Sequence, residues 1–279
     1  MTMPIPLSPS RVHQLPGALA FGLTDVGPVR QSNEDNFLLD EALGLAMVAD
    51  GMGGHAAGEV ASAGVLTEVQ AYLRAHGATP AATHTQSGPG DDPDATWSDA
   101  DSGALKLLHA ALAHANASLY AQNHQRKRVE GNGMGTTLTG FWRRTPKAPL
   151  VLFHVGDSRL YRLRMGGLEQ LTRDQTMYQQ ALEAGLIDSL PARNLLLQAV
   201  GPSPSIAPEV RAHLVFPGDV LMLCSDGLHG SVPHAEIEAA MGRARGDNLD
   251  QVCAQLVEMA KQYGGRDNIT VVVAICATS

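Results

Sequence analysis

The chain has 279 residues, a formal net charge of −8 and 44% hydrophobic residues. It is long enough to bury a large core, and its acidic balance argues against a nucleic-acid-binding protein, which normally has a basic face. No apolar run reaches the ~18 residues of a membrane span, and the N-terminus lacks a signal-peptide pattern. Its three cysteines are too few and too widely spaced for a disulfide framework or a zinc site, so we expect buried free thiols in a reducing cytoplasm.

Two segments lack any periodic pattern. Residues 1–18 carry four prolines, and we predict a flexible leader there, followed by a single domain over 19–279. Residues 78–103 are rich in Pro, Gly, Asp, Ser and Thr, which predicts a surface insertion. The insertion is either a docking segment or a plain loop, and loops are the commoner case. We expect a stand-alone module with no appended membrane or sensor domain.

The apolar runs predict a strand-rich domain. In chain order, strands are predicted at 21–26, 36–40, 45–49, 136–141, 150–155, 159–164, 219–224 and 269–276. Helices are predicted at 56–75, 104–124, 174–186 and 235–263. Many strands follow one another over short links, so antiparallel sheets with helices outside fit this order better than a βαβ repeat.

Acidic residues stand at the ends of five apolar runs: Asp35, Asp50, Asp157, Asp226 and Asp267. If 36–40 and 45–49 form a hairpin, Asp35 and Asp50 meet at one edge. Asp226 and Asp267 meet similarly if their strands are antiparallel. Two carboxylates ~4 Å apart repel by about 4 kcal/mol at an effective dielectric of about 20, so protonation or a cation must relieve them. Oxygen ligands without Cys or His favour Mg²⁺ or Mn²⁺. Taken singly, each Asp also fits a turn residue with an Asx-type hydrogen bond.

Six segments occur in a characteristic order: TDVGPVRQSNEDN, ADGMGGHAAGEVAS, GMGTTLTG, VGDSRLYRL, CSDGL and GGRDNITVVVA. Together they resemble the metal-dependent protein serine/threonine phosphatases of the protein phosphatase 2C family, in their compact bacterial form. The resemblance covers residues 20–276 in outline. It implies an α+β fold, a four-layer αββα sandwich of two antiparallel sheets flanked by helices, with the metal centre at one end.

The resemblance also implies a set of metal ligands. Asp50 would bridge two Mn²⁺ or Mg²⁺ ions, and the Gly51 carbonyl would bind one of them. Asp226 and Asp267 would complete the shell of the first ion.

Further acidic residues would serve the other ions. Glu34 and Asp35 would bind the second ion, mainly through water. Asp157 would help Asp226 to hold a third, weaker ion.

Two basic residues complete the implied site. Arg30 would bind the substrate phosphate, for which a planar guanidinium is suited. A surface ion pair is the alternative for Arg30. His55 matches the position of the proposed general acid that protonates the leaving alkoxide. A hydrogen-bonded histidine at a helix start is the alternative for His55.

Other motif residues are predicted to be structural. Thr136 and Thr137 would start a core strand, and Asn268 would support Asp267 or its turn. The chain departs from the family pattern in a flap-like segment at 172–201, where Gln175 stands at a position often held by His. This departure leaves substrate choice and flap-based regulation open.

The implied activity is hydrolysis of phosphoserine and phosphothreonine on proteins. A hydroxide shared by two metal ions would attack phosphorus in line, with no covalent intermediate. We expect a monomeric bacterial enzyme of signal transduction in the cytoplasm, opposing a eukaryotic-like serine/threonine kinase. Two rivals are a pseudophosphatase that binds without catalysis, disfavoured because the main ligands are present, and an enzyme for small phosphorylated metabolites.

Overall fold

The computed structural model describes residues 6–53, 56–77, 99–125, 133–186 and 188–277. The described residues form twelve strands: His13–Leu15 (β1), Ala18–Asp25 (β2), Asp35–Asp40 (β3), Leu45–Met52 (β4), Gly135–Thr136 (β5), Leu138–Trp142 (β6), Leu150–Val155 (β7), Arg159–Arg164 (β8), Gly167–Gln170 (β9), Glu209–His213 (β10), Val220–Cys224 (β11) and Ile269–Cys276 (β12). They also form six helices: Ala56–His76 (α1), Asp99–Gln125 (α2), Met177–Glu183 (α3), Asp226–His229 (α4), His234–Met241 (α5) and Leu249–Gln262 (α6).

The strands form two antiparallel sheets that pack face to face. One sheet has the order β1-β2-β12-β11-β8-β9, and the other has the order β10-β7-β6-β4-β3 with β5 paired to β4. Helices α1 and α2 cover the second sheet, and α5 and α6 cover the first. The predicted α+β sandwich of four layers is therefore confirmed.

Strand β11 shows why the central runs are apolar throughout. Leu221 and Leu223 pack into the layer between the two sheets, whereas Met222 and Cys224 pack beneath the outer helices. A strand covered on both faces has no solvent face, so its sequence does not alternate between apolar and polar residues.

The predicted leader at 1–18 and the predicted helix at 235–263 both need correction. Residues 13–15, assigned to a leader, form β1 and pair with residues 18–20 of β2, and Leu15 is buried. The predicted helix over 235–263 is two helices, α5 and α6. Asn248 ends the break between them, where its side-chain oxygen accepts from the Arg245 amide at 2.7 Å.

The insertion predicted at 78–103 is largely outside the described part of the chain. Residues 78–98 are not described, but helix α2 already begins at Asp99. The last five residues of the predicted insertion are therefore helical.

The three cysteines are free and buried, as predicted. Burial raises the pKa of both Cys224 and Cys253 to about 12, so these thiols stay protonated. None of the helices that the structure describes has the length and apolar character needed to cross a membrane.

Buried His154 makes the stability of the fold sensitive to acid. Its Nδ1 lies 2.8 Å from Thr139 Oγ1, its Nε2 lies 3.0 Å from the Arg173 carbonyl, and burial lowers its pKa. The unfolded chain takes up a proton near pH 6.5, whereas the folded chain resists it. Stability from this residue is therefore present above about pH 6.5 and lost at up to about 1.4 kcal/mol per pH unit below it.

We therefore expect acid to destabilise the wild type more than His154→Gln between pH 7 and pH 5. Urea unfolding of both proteins at pH 7, 6 and 5 measures the difference. Parallel pH curves for the two proteins would contradict this role of His154.

Candidate metal centre

Strand pairing brings the acidic residues to one end of the sandwich. The β3–β4 register places Asp35 directly opposite Asp50. Strands β11 and β12 are antiparallel, with Cys224 opposite Val271, so Asp226 and Asp267 also flank one edge. Both predicted strand pairings are confirmed.

Most of the predicted site residues line one cavity of about 520 Å³. Seven of them share its wall: Arg30, Glu34, Asp50, Gly51, Asp157, Asp226 and Asp267. The cavity therefore joins residues that lie far apart in the sequence.

One predicted residue is placed differently, and another lies outside the described part of the chain. Asp35 does not line this cavity; it is only 4% exposed, and its Oδ2 accepts from the Ser225 hydroxyl at 2.6 Å. This oxygen is therefore turned towards the residue that follows β11, and a role of Asp35 at an ion, mainly through water, stays a prediction. His55 lies outside the described residues, so its role stays a prediction.

The carboxylates in the cavity are electrostatically frustrated. Burial, followed by repulsion from Asp35 and Asp226, raises the pKa of Asp50 well above its ordinary value. Burial and then Asp267 raise the pKa of Asp226, and burial and then Asp226 raise the pKa of Asp157 to about 7. Acids in this state need protons or a cation.

The residues present fit a hard cation. Asp226 Oδ1 is buried without a hydrogen-bond partner among the described residues, and the cavity offers carboxylate and carbonyl oxygens. Such donors suit Mn²⁺ or Mg²⁺. Within the described ranges, however, no three Asp, Glu, His or Cys side chains already stand together as a metal-binding group. Binding would have to draw the mutually repelling carboxylates closer.

Two threonines hold the backbone of Asp50. The Asp50 amide donates to Thr137 Oγ1 at 2.9 Å, while its carbonyl accepts from the Thr137 amide at 2.8 Å and from Thr136 Oγ1 at 2.9 Å. Thr137 Oγ1 also lies 2.7 Å from the hydroxyl of Ser158, the neighbour of Asp157. The threonines thus fix the backbone of Asp50, a role that sequence analysis missed. They do not start a strand as predicted, because Thr136 ends β5 and Thr137 lies just before β6.

Asn268 fixes the loop that carries Arg30 and Glu34. Its side-chain oxygen accepts from the Glu34 amide at 2.8 Å, and its nitrogen donates to the Val26 and Ser32 carbonyls at 3.0 and 2.9 Å. Asn268 was predicted to support Asp267 or its turn. Its amide does donate to Asp267 Oδ1 at 2.9 Å, but its side chain holds the loop before β3. The only sequence feature that pointed to a structural role of Asn268 was its position directly after Asp267 in GGRDN.

Arg30 is ion-paired with a predicted ligand. Its Nη2 donates to Asp267 Oδ2 at 2.6 Å, and its Nε donates to the Arg266 carbonyl at 3.3 Å. The ion-pair alternative for Arg30 is thus present in the structure. Because Arg30 also lines the cavity, a phosphate-binding role remains compatible with its position.

The comparisons with known proteins agree with this architecture. The family model for protein phosphatase 2C matches residues 29–270. The chain belongs to the protein phosphatase 2C family. It is 36% identical to the serine/threonine protein phosphatase PstP of Mycobacterium tuberculosis over 90% of this chain, but it spans only 43% of that relative's length. It is 33% identical to the serine/threonine phosphatase Stp of Listeria welshimeri, over 90% of this chain and 92% of that protein.

A solved structure of this family carries metal. The catalytic domain of PstP in complex with two manganese ions superposes with a TM-score of 0.73 at 34% identity, covering 94% of this chain and 99% of that one. The metal belongs to that protein.

Thr137 provides a test of how this family member positions Asp50. Thr137→Val removes the hydroxyl that accepts from the Asp50 amide, so we expect a 10- to 100-fold loss of Mn²⁺ affinity, roughly the cost of losing a partner that orients a ligand. Thr137→Ser keeps the hydroxyl and should restore affinity. Mn²⁺ titration by calorimetry measures both variants, and equal affinity in the Val and Ser variants would contradict the role.

Proposed function

We propose that this protein hydrolyses phosphoserine and phosphothreonine in phosphoproteins, by attack of a water-derived hydroxide on phosphorus with no covalent phosphoenzyme. One observation carries the proposal: Asp50, Asp226, Asp267 and Arg30 line a single cavity, and a buried oxygen of Asp226 has no hydrogen-bond partner among the described residues. That combination suits a cation and a phosphate in adjacent positions.

The metal ligands follow from the lining of the cavity. Asp50, the Gly51 carbonyl, Asp226 and Asp267 would hold Mn²⁺ or Mg²⁺, and Glu34, which lines the same cavity, would bind through water. Two bound ions would supply Lewis-acid activation of water and of phosphoryl oxygens.

A third, weaker ion is part of the proposal. Asp157 and Asp226 line the main cavity and also a second one of about 380 Å³, so both residues lie where the two cavities adjoin. That position supports a further cation held by this pair.

The protein's basic residues act on the phosphate and the leaving group. Arg30 presents a planar set of donors that matches two phosphate oxygens, and this orients the phosphorus and stabilises charge on the equatorial oxygens. His55, next to the glycines after Asp50 in sequence, would donate a proton to the leaving serine or threonine oxygen. A eukaryotic-like serine/threonine kinase is the partner that would produce such substrates.

Phosphate release from a phosphothreonine peptide tests the activity. We expect release with Mn²⁺ or Mg²⁺ and none after EDTA treatment, with activity returning on addition of excess metal. Release that persists in EDTA would exclude the metal-dependent reaction. Mn²⁺ binding without release from any phosphopeptide would instead favour a regulatory module.

A further inference from the structure

Part of the main cavity is apolar. Met177 at the start of α3 and Leu195 and Leu196 further along the flap-like segment line it together with the acidic residues. Met177 is 45% exposed and Leu195 is 46% exposed, so both side chains offer apolar surface to solvent. A phosphate and its cations would not bind to this apolar surface, because they need polar partners.

Backbone hydrogen bonds fix these residues relative to the acidic residues. The Met177 amide donates to the Leu195 carbonyl at 2.8 Å, and the Leu197 amide donates to the Gln175 carbonyl at 2.7 Å. The Gln175 side chain in turn accepts from the Gly156 amide at 2.9 Å, directly before Asp157. These three apolar residues are therefore anchored to the turn that carries Asp157, a predicted metal ligand. Their arrangement is formed before a substrate binds.

The size of the cavity leaves room beside a phosphate. At about 520 Å³ it falls in the range that holds a small organic molecule, so a phosphorylated side chain can enter together with part of its neighbours. A neighbouring apolar side chain would be removed from water against the exposed methionine and leucine. A charged neighbour would lose its hydration there without gaining a partner from these three side chains.

We propose that Met177, Leu195 and Leu196 form an apolar subsite for an apolar side chain within two residues of the phosphorylated serine or threonine. This inference rests on the proposed phosphatase function, which it deepens by assigning a substrate class. Gln175, which tethers the flap-like segment to Gly156, holds the apolar subsite in place.

Phosphothreonine peptides that differ only by Leu or Gln at one flanking position test the subsite. Each of the two positions on either side is varied in turn, in the presence of Mn²⁺. We expect wild type to favour Leu over Gln by about tenfold in kcat/KM at one or more of these positions, the scale at which apolar pockets discriminate small differences. Leu195→Gln and Met177→Gln should reduce this preference towards one.

The chain supplies a matched control. Leu197 is 45% exposed and lies two residues beyond Leu195, but it does not line the cavity. Leu197→Gln should therefore keep the full preference for Leu. All three substitutions replace side chains that are already half exposed, and thermal unfolding verifies that each variant is folded.

Free phosphothreonine, which has no flanking side chains, separates the two proposals. If Mn²⁺-dependent release from phosphothreonine occurs but no flanking position favours Leu, the subsite is wrong and the phosphatase function stands. Equal loss of preference in Leu197→Gln and Leu195→Gln also overturns the subsite. If neither phosphothreonine nor any peptide is hydrolysed, the function fails and the subsite with it.

Discussion

Asp226→Asn is expected to reduce phosphate release more than about 100-fold while leaving the metal-free protein at least as stable as wild type. Loss of a residue that only orients a ligand costs about 10- to 100-fold, and loss of a direct ligand should cost more. Asn keeps the volume of Asp but removes a charge that burial and Asp267 disfavour. Relief of that repulsion offsets the lost polar contacts in the absence of metal.

Asp219 provides the matched control at the opposite end of the same strand. Asp219 precedes β11 and Asp226 follows it. Although burial opposes it, hydrogen bonds from Arg164 lower the pKa of Asp219, through contacts of 2.8 and 2.7 Å. Asp219→Asn should therefore cost about 1–3 kcal/mol of stability and leave the reaction intact.

The two variants thus have opposite expected effects. Phosphopeptide assays with Mn²⁺ and urea unfolding in EDTA measure activity and stability in parallel. An Asp226→Asn protein that remains active, or that is destabilised as much as Asp219→Asn, would show that Asp226 is an ordinary structural carboxylate.

Gly51→Ala is expected to destabilise the fold by at least about 2 kcal/mol and to weaken Mn²⁺ binding. A Cβ at Gly51 would lie 2.1 Å from the Gly58 carbonyl oxygen and 2.6 Å from the Glu34 carbonyl oxygen. Both are backbone atoms, so the end of β4 and the first turn of α1 would have to separate. The same movement would displace the Gly51 carbonyl from the metal centre.

Gly64→Ala, in helix α1, is the control for the effect of replacing glycine by alanine where there is no steric conflict. A Cβ at Gly64 has no atom within 4 Å, so the change removes only the helix-destabilising flexibility of glycine. It should stabilise the protein by up to about 1 kcal/mol. Urea unfolding of both variants measures the contrast, and a Gly51→Ala protein as stable as Gly64→Ala would contradict the close packing.

The sequence predicted the main strands because their apolar runs and short links are local signals. The pairing of Asp35 with Asp50 followed from one such link. Strands β9 and β10 were missed because they lie at sheet edges and carry mixed polar and apolar residues, which weakens the strand signal.

The supporting contacts of the site could not be predicted in the same way. Thr137 lies 87 residues from Asp50, and Asn268 lies 234 residues from Glu34. The bond from Ser225 to Asp35 depends on how the two sheets face each other. These contacts are set by tertiary packing, which neither hydrophobic periodicity nor residue spacing in the sequence can predict.

The central claim is that Asp50 and its neighbours form a binding site for a pair of divalent cations. Equilibrium dialysis against Mn²⁺, with metal content measured by atomic absorption, tests it directly on wild type and Asp50→Asn. We predict two tightly bound ions per wild-type chain and a loss of at least one of them in the variant. A wild type that binds no Mn²⁺, or a variant that binds as many ions as wild type, would contradict the metal centre.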